Sequence, residues 1–119
     1  MKDKIEKWLQ QIVVSECVPT DIVAFNFGIF EVDDGYCIYL IGSKYYDESD
    51  DDWACSVDYE PKEKYLEITN TEMDWEEFQK NVEKIVSNYI LEKGISETSF
   101  FSGKIVTVGF DNGALERIK

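Results

Sequence analysis

Carboxylates are the chemically able groups that this chain concentrates. Asp47, Glu48, Asp50, Asp51 and Asp52 crowd one short stretch, bracketed by Tyr45, Tyr46 and Trp53. Oxygen donors at this density admit acid–base catalysis, cation binding or recognition of a basic partner. Catalysis has little else to work with, because the chain contains no histidine. That removes every Ser-His and Cys-His nucleophile arrangement, the usual base near neutral pH and most zinc constellations. Gly42-Ser43-Lys44 lacks the rest of a phosphate-binding loop. A calcium loop of EF-hand type needs glycine at its sixth position and glutamate at its twelfth. Counted from Asp47 those positions hold Asp52 and Asp58, and counted from Asp50 they hold Cys55 and Pro61. Neither register fits, so the expectation is a protein without catalytic residues, metal ligands or cofactor, and not an enzyme.

Partner recognition is the remaining use. Two unit charges about 7 Å apart repel by roughly 0.6 kcal/mol in water, and by more where protein lowers the dielectric. Several such pairs make the stretch a net cost to the free fold unless water alone, or a cationic partner, offsets it. A wet loop is the bland account. The sharper one makes Tyr46, Asp47, Glu48, Asp50, Asp51, Asp52 and Trp53 a partner-binding surface, in which aromatic side chains anchor and carboxylates steer. For Trp53 the competing account is a ring that fills the core.

The whole composition agrees with an acidic folded surface. In 119 residues the formal net charge is −13, while 44% of residues are hydrophobic and 14% aromatic. Such a chain makes one domain spanning residues 1–119, and not a disordered acidic tail. Its field repels nucleic acid and anionic membranes, so neither is expected as a partner. Cys17, Cys37 and Cys55 are odd in number and widely spaced, which argues against a disulfide scaffold or zinc site, and Cys17 is expected to be packed. The charged start Met1-Lys2-Asp3-Lys4 is unlike a signal peptide, and no stretch is apolar for long enough to span a bilayer. The expected location is the cytoplasm.

The elements that must position the acids are readable from periodicity. Ile5, Trp8, Leu9, Ile12 and Val13 lie on one helical face, in a helix that stops before Pro19. Residues 21–32 and 36–41 are strands rich in β-branched and aromatic side chains, joined by Asp33-Asp34-Gly35 as a tight turn whose glycine takes positive φ. Gly28 marks a bulge or a close backbone approach. Residues 54–59 and 64–68 are two further strand candidates. Asp74 and Glu77 have capping-box spacing and open a helix with Trp75, Phe78, Val82, Ile85, Val86 and Tyr89 on its apolar face and Gly94 as terminator. Residues 95–103 are a loop, 104–110 a strand, Asp111-Asn112-Gly113 a turn and 114–118 a closing strand. The order α-ββββ-α-ββ predicts an α+β domain, a mostly antiparallel sheet of about six strands with two amphipathic helices on one face.

The runs Asp21–Phe30 and Gly35–Ser43, the block Asp50-Asp51-Asp52-Trp53-Ala54-Cys55 and the closing Lys104–Gly113 together resemble small bacterial immunity proteins of polymorphic-toxin and contact-dependent inhibition systems. The resemblance implies a cytoplasmic protein that binds and neutralises a cognate secreted toxin. Many such toxins are basic nucleases, against which carboxylates can stand in place of phosphates. It transfers no individual site residue. Two alternatives stay open: an acidic interaction or regulatory module whose contact surface is an apolar patch around Phe100 and Phe101, and a cation-binding protein.

Overall fold

The structure, a computed structural model, describes residues 1–93, 100, 101, 103–111 and 113–119. Apolar side chains at helical spacing produce α1 (Lys2–Ser15), which buries Ile5, Trp8, Leu9 and Ile12 and gives way to an extended Glu16 before Pro19. The indole N–H of Trp8 donates to Glu63 O at 2.6 Å, tying this helix to a segment far along the chain. The strands β1 (Ala24–Val32) and β2 (Gly35–Ser43) form an antiparallel hairpin in register from Ala24↔Ser43 to Val32↔Gly35. Its turn is therefore Asp33-Asp34, and Gly35 already belongs to β2. No positive φ is found there, contrary to the expectation; the glycine is needed because an added Cβ would collide with Ile68 O of the neighbouring strand.

That neighbour is β3 (Tyr65–Thr69), antiparallel to β2. The helix α2 (Trp75–Lys93) follows, capped as its sequence predicts: Glu77 N–H donates to Asp74 Oδ1 at 2.9 Å. It carries the chain back along the sheet, so that β4 (Ile105–Phe110) pairs with β1 in parallel. The two-residue β5 (Glu116–Arg117) closes the other edge, antiparallel to β4.

The sheet is thus five-stranded and mixed, in the order β3-β2-β1-β4-β5, within an α+β fold. Two corrections to the expected six-stranded, mostly antiparallel sheet follow. Residues 54–59 are not a strand. Asp51–Cys55 is a 3₁₀ turn, and only the isolated bridge Gly42↔Tyr59 remains of the expected pairing. The parallel β1–β4 pair is the second, and it results from the path of α2. Gly94, residues 95–99, Ser102 and Asn112, on which a helix stop, a loop and a turn were expected, lie outside the described residues.

One parity of each central strand faces the helices. Phe25, Phe27 and Ile29 of β1, Ile38 and Leu40 of β2, and Val106 and Val108 of β4 are fully buried there with Phe78, Val82 and Val86 of α2. Phe100 and Phe101 complete this core, both ring centres lying 5.3 Å from that of Phe25. They are 3% and 7% exposed, so the apolar contact patch considered for them does not exist. Cys17 is exposed, not packed as expected; Cys37 is buried and Cys55 exposed. No helix among the described residues is long and apolar enough to cross a membrane.

Candidate functional site

The acid-rich segment leaves β2 at Ser43 and is closed at its base by bonds to Tyr59 and Asp58. Gly42 N–H donates to Tyr59 O at 2.8 Å, and Asp58 Oδ2 accepts Lys44 N–H at 2.8 Å. The carboxylate of Glu16, just beyond α1, accepts the Tyr59 hydroxyl at 3.0 Å and Lys62 N–H at 3.2 Å, fastening the same base to the helical layer. Between these ties the acids shape the loop themselves. Asp47 Oδ1 accepts both the N–H and the hydroxyl of Ser49, at 2.9 and 2.8 Å. Asp50 caps the 3₁₀ turn by accepting Asp52 N–H at 3.0 Å. Asp51 Oδ2 accepts Leu115 N–H at 3.1 Å, joining the loop to the β4–β5 connection. Short aspartate side chains suit this work because they reach backbone N–H groups two residues on, where no strand or helix serves them.

Trp53 is 2% exposed. Its ring meets Tyr46 edge to face at 5.1 Å, and the Arg117 guanidinium lies 5.9 Å from the Tyr46 ring centre. Trp53 therefore holds the turn down and has no face to present to a partner. Tyr46 is half-buried, and Asp47, Glu48, Asp50, Asp51 and Asp52 stand at or near the surface. None of the five acids is ion-paired among the described residues, where the salt bridges are Lys44–Asp21 and Lys64–Glu60.

The loop's five acids do not all border one cleft. Asp51 and Asp52 border a cleft of about 680 Å³ on the helix-free face of the sheet, whereas Asp47, Glu48 and Asp50 lie outside its lining. Across the cleft stand Phe30, Tyr39 and Tyr65, Lys64 is on the wall, and Asn26 is part of the lining. Asp111, which the sequence does not single out, adds a third carboxylate and accepts the Tyr39 hydroxyl. Burial pushes the Tyr39 phenol well above its usual range, and the bond to Asp111 pushes it further.

Two glycines on this face are closely covered by their neighbours. Gly28 and Gly109 are paired across β1 and β4. An added Cβ on Gly28 would come within 2.1 Å of Tyr39 Cζ, and one on Gly109 within 2.8 Å of Ala114 O. The close approach expected at Gly28 is thus to the ring of its cross-strand partner, Tyr39.

The Ser49 clamp gives Asp47 a distinct titration. The backbone N–H of Ser49, then the Ser49 and Tyr45 hydroxyls, hold its carboxyl below the ordinary range. A lowered folded-state value means that this group's contribution is complete above the unfolded aspartate value of about 3.9. It is lost as pH falls through the lowered value. Carboxyl carbon NMR is expected to show Asp47 mostly ionised at pH 4; a midpoint at or above the ordinary value would remove the clamp.

Among the described residues, no three carboxyl or thiol groups are grouped to hold a metal ion. Comparison with protein-family models, with curated proteins and with solved structures finds no match for the chain.

Proposed function

We propose that this protein is a non-catalytic inhibitor of the immunity type, which binds a basic secreted toxin in the cytoplasm through its acid-rich loop. The observation that carries this reading is that the carboxylates of Asp47, Asp50 and Asp51 are held in place without being neutralised. Their partners are backbone N–H and hydroxyl groups, so the loop is ordered while its negative charge stays available to a cationic surface. Such a fixed field accelerates encounter with a basic protein and discriminates against acidic ones. Tyr46 and Trp53 contribute by keeping the turn on the sheet.

A second reading is favoured by the same bonds: the aspartates are present as caps, and their charge only aids solubility. One variant separates the two. Asn at 47, 50 and 51 keeps a side-chain oxygen for each of their bonds, Asn at 52 and Gln at 48 keep side-chain size, and five charges disappear. Co-production with the toxin encoded by the adjacent gene is expected to restore growth with the parent protein. The five-site variant, folded and with an unchanged melting temperature, is expected to bind that toxin at least about tenfold more weakly at low salt, with the difference shrinking as salt screens the pair. Equal affinity would leave only the capping role.

A further inference from the structure

We propose that the open edge of β3 takes an extended segment of the partner as a sixth strand, with a lysine or arginine of that segment beside Glu67. This rests on the reading above that the partner is a basic protein, and it adds a place on the sheet where the partner's main chain is held.

The direction of the backbone groups is the first support. Lys64 O accepts Leu40 N–H at 3.2 Å, and Asn70 N–H donates to Asp34 O at 3.0 Å, so even-numbered residues bond to β2 at both ends of the strand. Between them the register runs unbroken from Tyr65↔Tyr39 to Thr69↔Gly35. Bonded and non-bonded pairs alternate in an antiparallel ladder. Tyr65, Glu67 and Thr69 therefore turn their N–H and C=O groups away from the sheet. Lys4 on α1 agrees with this, because its ammonium reaches the Glu67 carbonyl at 3.1 Å. The other outward groups have no bond among the described residues, and all three residues are exposed. A carbonyl has two lone pairs, so the Lys4 contact leaves room for an incoming N–H.

The contrast between the two edges is the second support. An unpaired edge templates a further strand, and folds blunt it by shortness, proline or a bulge. The opposite edge is blunted, since β5 has two residues. By contrast, β3 offers five residues in continuous register with no proline among them.

Charge selects the occupant. On a second copy, the antiparallel register that pairs all five residues sets Glu67 against Glu67, and like charges directly opposite are destabilising. Each copy would also bring a formal charge of −13. A basic segment reverses both signs. Tyr65 is paired with Tyr39 and Glu67 with Cys37, on the helix-free face, and Tyr65 borders the cleft that Asp51, Asp52 and Asp111 line. A cation beside Glu67 thus lies in the field of the loop as well. Main-chain bonds would hold such a segment, and alternate side chains would select it.

The test uses the full chain, ¹⁵N-labelled. In the free protein the amides of Tyr65, Glu67 and Thr69 are expected to exchange at least about a hundredfold faster than those of Leu66 and Ile68. Acetyl-Thr-Val-Lys-Val-Thr-amide is expected to slow that exchange and to shift the three amides saturably. It should bind at least about threefold more tightly than its counterpart with glutamate in place of lysine. The form N-methylated at every residue should not bind, and Glu67→Lys should reverse the preference between the two peptides. Slow exchange of the three amides in dilute free protein, shifts centred elsewhere, no saturable shift, or equal binding of the N-methylated form would each overturn the proposal. So would a dimer that protects the same amides, which would make a second copy the occupant. The two levels fail separately. Toxin binding that is lost in the five-site variant, with no peptide on β3, sinks the added strand and leaves the inhibitor. Peptide pairing on β3 without any toxin binding does the reverse.

Discussion

Trp53→Ala is expected to destabilise the protein by about 3 kcal/mol, the low end of the range for removing a large buried aromatic, and to weaken the proposed toxin binding although the indole is buried. The low end applies because the turn Asp51–Cys55 lies outside the sheet's hydrogen-bond ladder and can lift away, which relieves part of the cavity. Release has a second effect. Without the ring, the bonds from Asp52 N–H to Asp50 and from Leu115 N–H to Asp51 lose the packing that holds their partners in place. The carboxylates then keep their charge but not their positions. Hydrogen exchange should show lost protection at Asp52 and Leu115, while Phe27 and Val108 in the sheet stay protected. Trp53→Phe should recover most of both losses. If Trp53→Ala leaves affinity unchanged in the folded protein, the order of the loop is irrelevant to binding.

Gly28→Val is the second large effect, with an expected cost of about 1–3 kcal/mol from forcing side-chain atoms into a filled space. Valine is otherwise favoured in a strand, so a loss of stability here points to what lies over the glycine. Gly28 is on β1, which is paired on both sides, and cannot retreat; the Tyr39 ring must swing outward, breaking its bond to Asp111. In a Tyr39→Ala background the same Gly28→Val change should cost little, because the obstructing ring is gone. A double-mutant cycle reads this coupling directly. Equal costs in the two backgrounds would show that the glycine serves something other than Tyr39.

The fold was legible where local pattern and tertiary packing agree. Both helices follow from apolar spacing, the start of α2 from Asp74, and the first hairpin from two strands separated by Asp33-Asp34-Gly35, although Gly35 proves to belong to the second strand. The central strand β1 carries apolar side chains at both parities, and from Ala24 to Ile29 it is buried throughout. Residues 54–59 misled because Cys55, Val57 and Tyr59 alternate with polar neighbours as a strand would. Asp50 and the acids after it begin a capped turn first, and Tyr59 is drawn to the other side of the sheet, where it packs against Phe25. Nothing local could announce the parallel β1–β4 pair.

The candidate site divides in the same way. The spacing of Asp47 to Ser49 and of Asp50 to Asp52 is that of side chains bonding two residues on, a turn signal present in the sequence but overshadowed by the charge run. The bond from Leu115 to Asp51 and that from Tyr39 to Asp111 span 64 and 72 residues. Asp111 could not be recognised as a neighbour of the loop without the sheet order. Phe30 and Tyr65 likewise look like ordinary strand aromatics until the sheet order places them on the same cleft as Asp51, Asp52 and Asp111.

Because aspartates cap the turn through single oxygen atoms, its path and its electric field can vary independently. Exchange of Asp for Asn alters the field by a whole unit and leaves the acceptor in place, so the loop's charge can be retuned without rebuilding the scaffold. Serine or threonine at the same positions would do so with a shorter arm. Positions 47, 50 and 51 are therefore where divergent copies of this chain should differ in polarity while conserving an oxygen.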